Sequence, residues 1–130
     1  MKTQKRWILL IEDEQEIRAL LSEELTKCGF SVLSCSKAAE GIRILRNQKF
    51  DCILLDMRLD GGTGSQIIYS VRDDKANLNH LTPILVVSGH LNVDLILKIK
   101  NSVSGIFVKP FKLKDLIAKV KYLCPIQEEI

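Results

Sequence analysis

Five short apolar runs recur along the chain: Ile8–Ile11, Phe30–Leu33, Cys52–Leu55, Ile84–Val87 and Ile106–Val108. They constrain the fold more than any other feature. Each is rich in Ile, Val, Leu or Phe and lacks the in–out alternation of a half-exposed strand. Strands read this way when both faces of a parallel sheet are covered. Between the runs lie stretches with helical spacing. Ile17, Leu20, Leu21 and Leu25 form one stripe, stopped by Gly29; Ala38, Ile42 and Leu45 form another; Ile67, Ile68 and Val71 a third. Leu113, Leu116, Ile117 and Val120 form the last, after the break at Pro110. The β-α order predicts an α/β fold with a parallel sheet and right-handed crossovers.

The segment from Asn92 to Asn101 carries two apolar stripes, Leu91/Leu95/Ile99 and Val93/Ile96/Leu97. One packs on the sheet. The other is either an exposed partner surface or the second face of a deeply buried helix.

With 130 residues the chain fits one domain, 1–130, with a core over about 6–124. Residues 125–130 read as a frayed tail or linker stub, because Pro125 ends the helical pattern. A net charge of +3 gives no argument for nucleic-acid or membrane binding. No run approaches the ~20 apolar residues that span a bilayer, and the N-terminus has no signal-peptide core. The expected location is the cytoplasm. Cys28, Cys35, Cys52 and Cys124 form no C-x-x-C pair and stand far from His80 and His90, which argues against zinc and for small buried hydrophobes in a reducing compartment.

In an open parallel sheet, ligands bind beyond the carboxyl ends of the strands. The residues there are Glu12 and Asp13 after the first run, Asp56 after the third, Ser88 after the fourth and Lys109 after the fifth. Three clustered carboxylates repel one another and raise one another's pKa unless a cation is present. One lysine balances part of that charge, and a hard divalent cation such as Mg2+ balances the rest. A carboxylate can act as a nucleophile and form an aspartyl phosphate. Phosphoryl transfer then needs alignment and charge neutralisation, which Mg2+, a lysine and a hydroxyl supply.

The motifs ILLIEDE (8–14), ILLDMRLDGGTG (53–64), ILVVSGH (84–90) and VKPF (108–111), in this order, resemble the receiver domain of two-component response regulators over Arg6 to Leu123. The resemblance implies a flavodoxin-like five-stranded parallel sheet, order 2-1-3-4-5, flanked by five helices. It implies Asp56 as phosphoacceptor, with Ser88 and Lys109 as its assisting hydroxyl and cation. It implies Mg2+ held by Asp13, Glu12 (often through water), Asp56 and the backbone carbonyl of Arg58. Lys109-Pro110 resembles the family's cis peptide, and Gly64 its glycine entering helix 3.

Further expectations follow from the resemblance. The chain is a phosphorylation-activated switch, not an enzyme. Its donor is a sensor histidine kinase or histidine phosphotransfer protein, and its output face is helix 4/strand 5/helix 5, with a homodimer compatible. The lysines of the carboxyl-terminal half suit an acidic protein partner. Direct nucleic-acid or membrane contact is not expected. The chain reads as a stand-alone receiver or one cut from a longer protein.

Two positions, Asp60 and Ile106, depart from the family pattern. Asp60 stands where a proline is usual, so the 60–62 loop should be loose. Ile106 stands at the switch-aromatic position, so phosphorylation should be retained with altered coupling to the outer face. Arg58 and His90 resemble positions that tune phosphoryl lifetime, or are exposed loop residues. Among competing functions, a dehalogenase-type phosphatase needs an acid at 58, where Arg stands, and an FMN site would not place Glu12-Asp13-Glu14 in its phosphate loop. Gly61-Gly62-Thr63-Gly64 lacks the ending of a phosphate-binding loop and reads as a flexible turn. The runner-up is a receiver-like interaction module that is never phosphorylated.

Overall fold

The computed structural model describes residues 2–3, 5–59, 62–89, 91–125 and 128–129. Among them the main sheet has strands β1 (Trp7–Ile11), β2 (Ser31–Cys35), β3 (Cys52–Leu55), β4 (Ile84–Ser88) and β5 (Gly105–Val108), all parallel, in the order β2-β1-β3-β4-β5. The helices are α1 (Gln15–Lys27), α2 (Ala38–Asn47), α3 (Gly64–Arg72), α4 (Val93–Ile99) and α5 (Leu113–Leu123). The expected fold class and strand order are those observed.

Side-chain parity divides the core in two. Leu9, Ile11, Ile53, Leu55, Ile84 and Val86 face α2, α3 and α4; Ile8, Leu10, Cys52, Leu54, Leu85 and Val87 face α1 and α5. The central runs are apolar because both faces are covered, and every residue of β3 and β4 is buried, whereas the edge strands β2 and β5 are mostly half-buried. α1 ends as its sequence requires. Gly29 adopts φ 96°, its N–H donates to the Thr26 carbonyl, and Phe30 N–H donates to Leu25 O at 3.1 Å, a Schellman closure that a side chain at Gly29 would strain.

Two local readings, of Leu20 and of the tail, change in three dimensions, and the alternative left open at α4 is resolved. Leu20, placed in the α1 core stripe, is 49% exposed. Of the two α4 stripes, Leu91, Leu95 and Ile99 pack on the sheet, whereas Val93 and Leu97 are exposed. The tail expected to fray instead pairs Glu128–Glu129 antiparallel with Lys2–Thr3. Arg58–Leu59 pairs antiparallel with Gly62–Thr63, and Thr63 N–H donates to the Gln66 amide oxygen. Asp60, Gly61 and His90 lie outside the described residues.

One polar brace was invisible to periodicity. Asn79 is fully buried; its amide donates to Leu45 O and Gln48 O, and its oxygen accepts from Phe50 N and the Thr82 hydroxyl. It ties the end of α2 to the α3–β4 connection.

Candidate functional site

The sheet ladders bring the strand-end residues together. Ile11 pairs with Leu55, and Asp56 N–H donates to Ile11 O, so Glu12 and Asp56 emerge side by side from adjacent strands. Ser88 pairs with Val108, and Lys109 N–H donates to Ser88 O at 3.0 Å. Lys109 thereby leaves β5 next to Ser88 and reaches back across the edge of the sheet. Its ammonium lies 2.9 Å from Glu12 Oε1, 3.1 Å from Asp56 Oδ2 and 3.6 Å from Glu14 Oε1.

Asp56 is 4% exposed. Its second oxygen, Oδ1, accepts the Arg58 backbone N–H at 3.1 Å. Glu12 is likewise buried, and Glu14 N–H donates to its Oε2. Glu12, Asp13 and Asp56 each offer a carboxylate oxygen, all within 4.8 Å of one another. Ser88 is fully buried at the end of β4, and the Arg58 side chain is exposed. The Lys109-Pro110 peptide is cis.

Gly64 opens α3 directly under this loop. A Cβ there would lie 2.8 Å from Asp56 O and 2.9 Å from Met57 Cα. Backbone cannot yield as a flexible side chain can, so only glycine allows α3 to start this close to Asp56.

The electrostatics match the crowding. Burial and the neighbouring Asp56 push the Glu12 carboxyl up to about 8. Burial also acts to raise Asp56, but hydrogen bonds from Glu12, the Arg58 amide and Lys109 outweigh it and hold Asp56 below the ordinary carboxylate value. Burial would depress Lys109, yet its bonds to Glu12 and Asp56 raise it. In the metal-free cluster one acid therefore keeps its proton while Asp56 stays ionised.

The sheet edge brings Glu12, Asp13, Asp56, Ser88 and Lys109 together, and Arg58 meets Asp56 through its backbone N–H while its side chain is exposed. Two contributors were not anticipated. Arg18, on the first turn of α1, donates to Glu12 O at 2.7 Å and clamps the acidic loop. Glu14, the third acid of the run that carries Glu12 and Asp13, lies 3.6 Å from the Lys109 ammonium.

The donor set fits Mg2+. Three hard carboxylates converge at one solvent-accessible edge, Asp13 is only partly buried, and the raised Glu12 marks a negative charge that one lysine does not neutralise.

A profile of the response regulator receiver domain matches residues 8–121. The chain is 29% identical over 88% of its length to the transcriptional regulatory protein AfsQ1 of Streptomyces coelicolor and 31% identical over 87% to the uncharacterized transcriptional regulatory protein YcbL of Bacillus subtilis, covering 49% and 48% of those proteins. It thus spans about half the length of these curated relatives. Its fold superposes on the receiver domain of the sensor histidine kinase PA1611 from Pseudomonas aeruginosa with a TM-score of 0.81 at 22% identity, covering 92% of this chain and 98% of that one. That structure holds a magnesium ion in its active-site cleft. Among the described residues, no helix is long and apolar enough to cross a membrane. The chain belongs to the response regulator receiver domain family, whose members are phosphorylation-regulated signalling domains of two-component systems.

Proposed function

We propose that this chain accepts a phosphoryl group on Asp56 from a histidine kinase or histidine phosphotransfer protein, in a Mg2+-dependent reaction. The observation that carries the reading is the state of Asp56. It is buried and ionised, tied by Lys109 at one oxygen and the Arg58 amide at the other, within a cluster of three carboxylates.

A carboxylate oxygen of Asp56 attacks phosphorus, the P–N bond to the donor imidazole breaks, and that nitrogen keeps the electron pair. Lys109 already sits against Asp56 and offsets the charge that accumulates on the transferred group. The Ser88 hydroxyl, brought beside Lys109 by the β4–β5 ladder, is the hydrogen-bond donor to a phosphoryl oxygen. Asp13, Asp56, Glu12 and the Arg58 carbonyl would hold Mg2+, which supplies the remaining neutralisation. An apolar groove of about 460 Å3, lined by Ile17, Leu20, Phe111 and Leu113, borders Lys109 and gives a donor protein a surface to approach along.

The output passes through α4, β5 and α5. Exposed Val93, Leu97 and Val108 lie on α4 and β5, and Lys98 and Lys100 carry positive charge there. Ile106 is half-buried against the α2–α4 side of the core and has no ring to rotate, so coupling from Ser88 to this face runs through aliphatic packing.

Acetyl phosphate with Mg2+, read by intact mass, tests the assignment. The chain gains one phosphoryl group and Asp56→Asn gains none. If the wild-type chain gains none from acetyl phosphate or from a phosphorylated donor, it is an interaction module only.

A further inference from the structure

Arg18 stands beside the acidic cluster, yet among the described residues it forms no ion pair. Its Nη1 donates instead to two main-chain oxygens, Glu12 O at 2.7 Å and Asp13 O at 3.4 Å. Those carbonyls belong to the two residues that carry candidate metal ligands into the loop after β1. On the other side, Glu12 N–H donates to Cys35 O at 3.0 Å, at the end of β2. Glu12 is thus held from two directions, by a strand at its N–H and by the first turn of α1 at its C=O. The carboxylates are held unequally. Lys109 ties Glu12 and Asp56. Asp13 is partly buried, and among the described residues its carboxylate has no hydrogen bond or ion pair. The backbone from which Asp13 hangs therefore decides where its oxygens stand, and Arg18 fixes that backbone.

We propose that Arg18 is a positioning residue whose guanidinium, bonded to the carbonyls of Glu12 and Asp13, sets the affinity of the acidic edge for a divalent cation, an inference that rests on the Mg2+-dependent reading of the site. Two effects of Arg18 on a bound cation oppose each other. Its positive charge repels Mg2+, so on charge alone the loss of Arg18 tightens binding. Its hydrogen bonds hold the loop in place before the ion arrives, so on position alone the loss weakens binding, because Glu12 and Asp13 must then be ordered as the ion binds. Water at this solvent-accessible edge screens the repulsion, whereas the bonds act by contact. Position therefore outweighs charge, and Arg18 strengthens a cation site although it is itself a cation.

Urea unfolding at increasing MgCl2, with EDTA as the metal-free arm, gives the Mg2+ dissociation constant of the folded chain from the gain in stability. Arg18→Met removes the donors and keeps a long side chain of similar helix propensity. It should raise the dissociation constant about tenfold, the lower end of what is lost when a partner that orients metal ligands is removed. Arg18→Lys keeps the charge and a donor and should recover most of the affinity. Unchanged or tighter Mg2+ binding by Arg18→Met overturns the proposal, because a residue that only supports α1 lowers stability in EDTA and leaves the dissociation constant alone. Arg18→Lys binding as weakly as Arg18→Met overturns it too, since the loss then comes from packing and not from a donor at the carbonyls. A wild type that gains no stability from MgCl2 overturns the metal reading and this role with it; the two outcomes before it leave the metal reading standing.

Discussion

The Lys109 ammonium rests 3.1 Å from Asp56 Oδ2, a contact between residues separated by 53 positions in the chain. The same ammonium reaches Glu12 at 2.9 Å, so one cation bridges the ends of β1 and β3 from the end of β5. Lys109 thus has a structural role before it has a chemical one.

Lys109→Met removes that bridge and leaves Glu12 and Asp56 facing each other in a buried edge. Urea unfolding in EDTA at about pH 9, where Glu12 is ionised as well as Asp56, should show a loss of about 1–3 kcal/mol. Asp56→Asn removes one member of the repelling pair and should lose less than Lys109→Met under the same conditions. Equal losses would mean that the Lys109 contacts are not what opposes the repulsion.

The raised Glu12 gives the metal-free chain a signed pH dependence. Folded Glu12 keeps its proton up to about 8, whereas the unfolded chain releases it near 4.5. Between those values the folded state binds more protons, so this group's contribution to stability falls as pH rises. Stability in EDTA should therefore decline more steeply from pH 5.5 to 8 in the wild type than in Glu12→Gln, and Mg2+ should stabilise the wild type more at pH 8 than at pH 6. Parallel curves for the two chains would assign the slope to other groups.

Gly64→Ala places a methyl group against Asp56 O and Met57 Cα at 2.8 and 2.9 Å. The loop that carries Asp56 must shift to admit it. We expect a stability loss of about 1–3 kcal/mol and slower phosphorylation by acetyl phosphate, read by thermal melts and timed intact-mass spectra. Ser65→Ala, one residue further along α3, serves as the control for altered helix propensity.

Asn79→Ala strips hydrogen bonds from the Leu45 and Gln48 carbonyls and the Phe50 amide. The cost should be about 3 kcal/mol or more, measured by urea melts. The effect is on stability alone, because the brace lies at the opposite edge of the sheet from Lys109.

On α4, Leu95→Ser should cost about 2 kcal/mol or more, since Leu95 packs on the core. Leu97→Ser, at a 56% exposed position, should change stability by less than about 0.5 kcal/mol. Comparable losses would show that the Leu97 face is covered.

The sequence by itself determined the strands, the helices and the chemistry at the sheet edge. The central strands are covered on both faces and so read as apolar runs, and the polar residues that follow the first, third, fourth and fifth runs mark the carboxyl edge where Glu12, Asp56, Ser88 and Lys109 meet. Hydrophobic period and chain order carry that information locally. Tertiary structure alone decided the rest. It exposed Leu20 on an apparently buried stripe and chose which α4 stripe packs. It paired Lys2–Thr3 with Glu128–Glu129 and set Arg18 on the carbonyl of Glu12. It also buried Asn79 among four partners. None of these has a local signal, because each depends on the register and crossing of elements tens of residues apart, and a polar atom's partners are fixed only once those elements have packed.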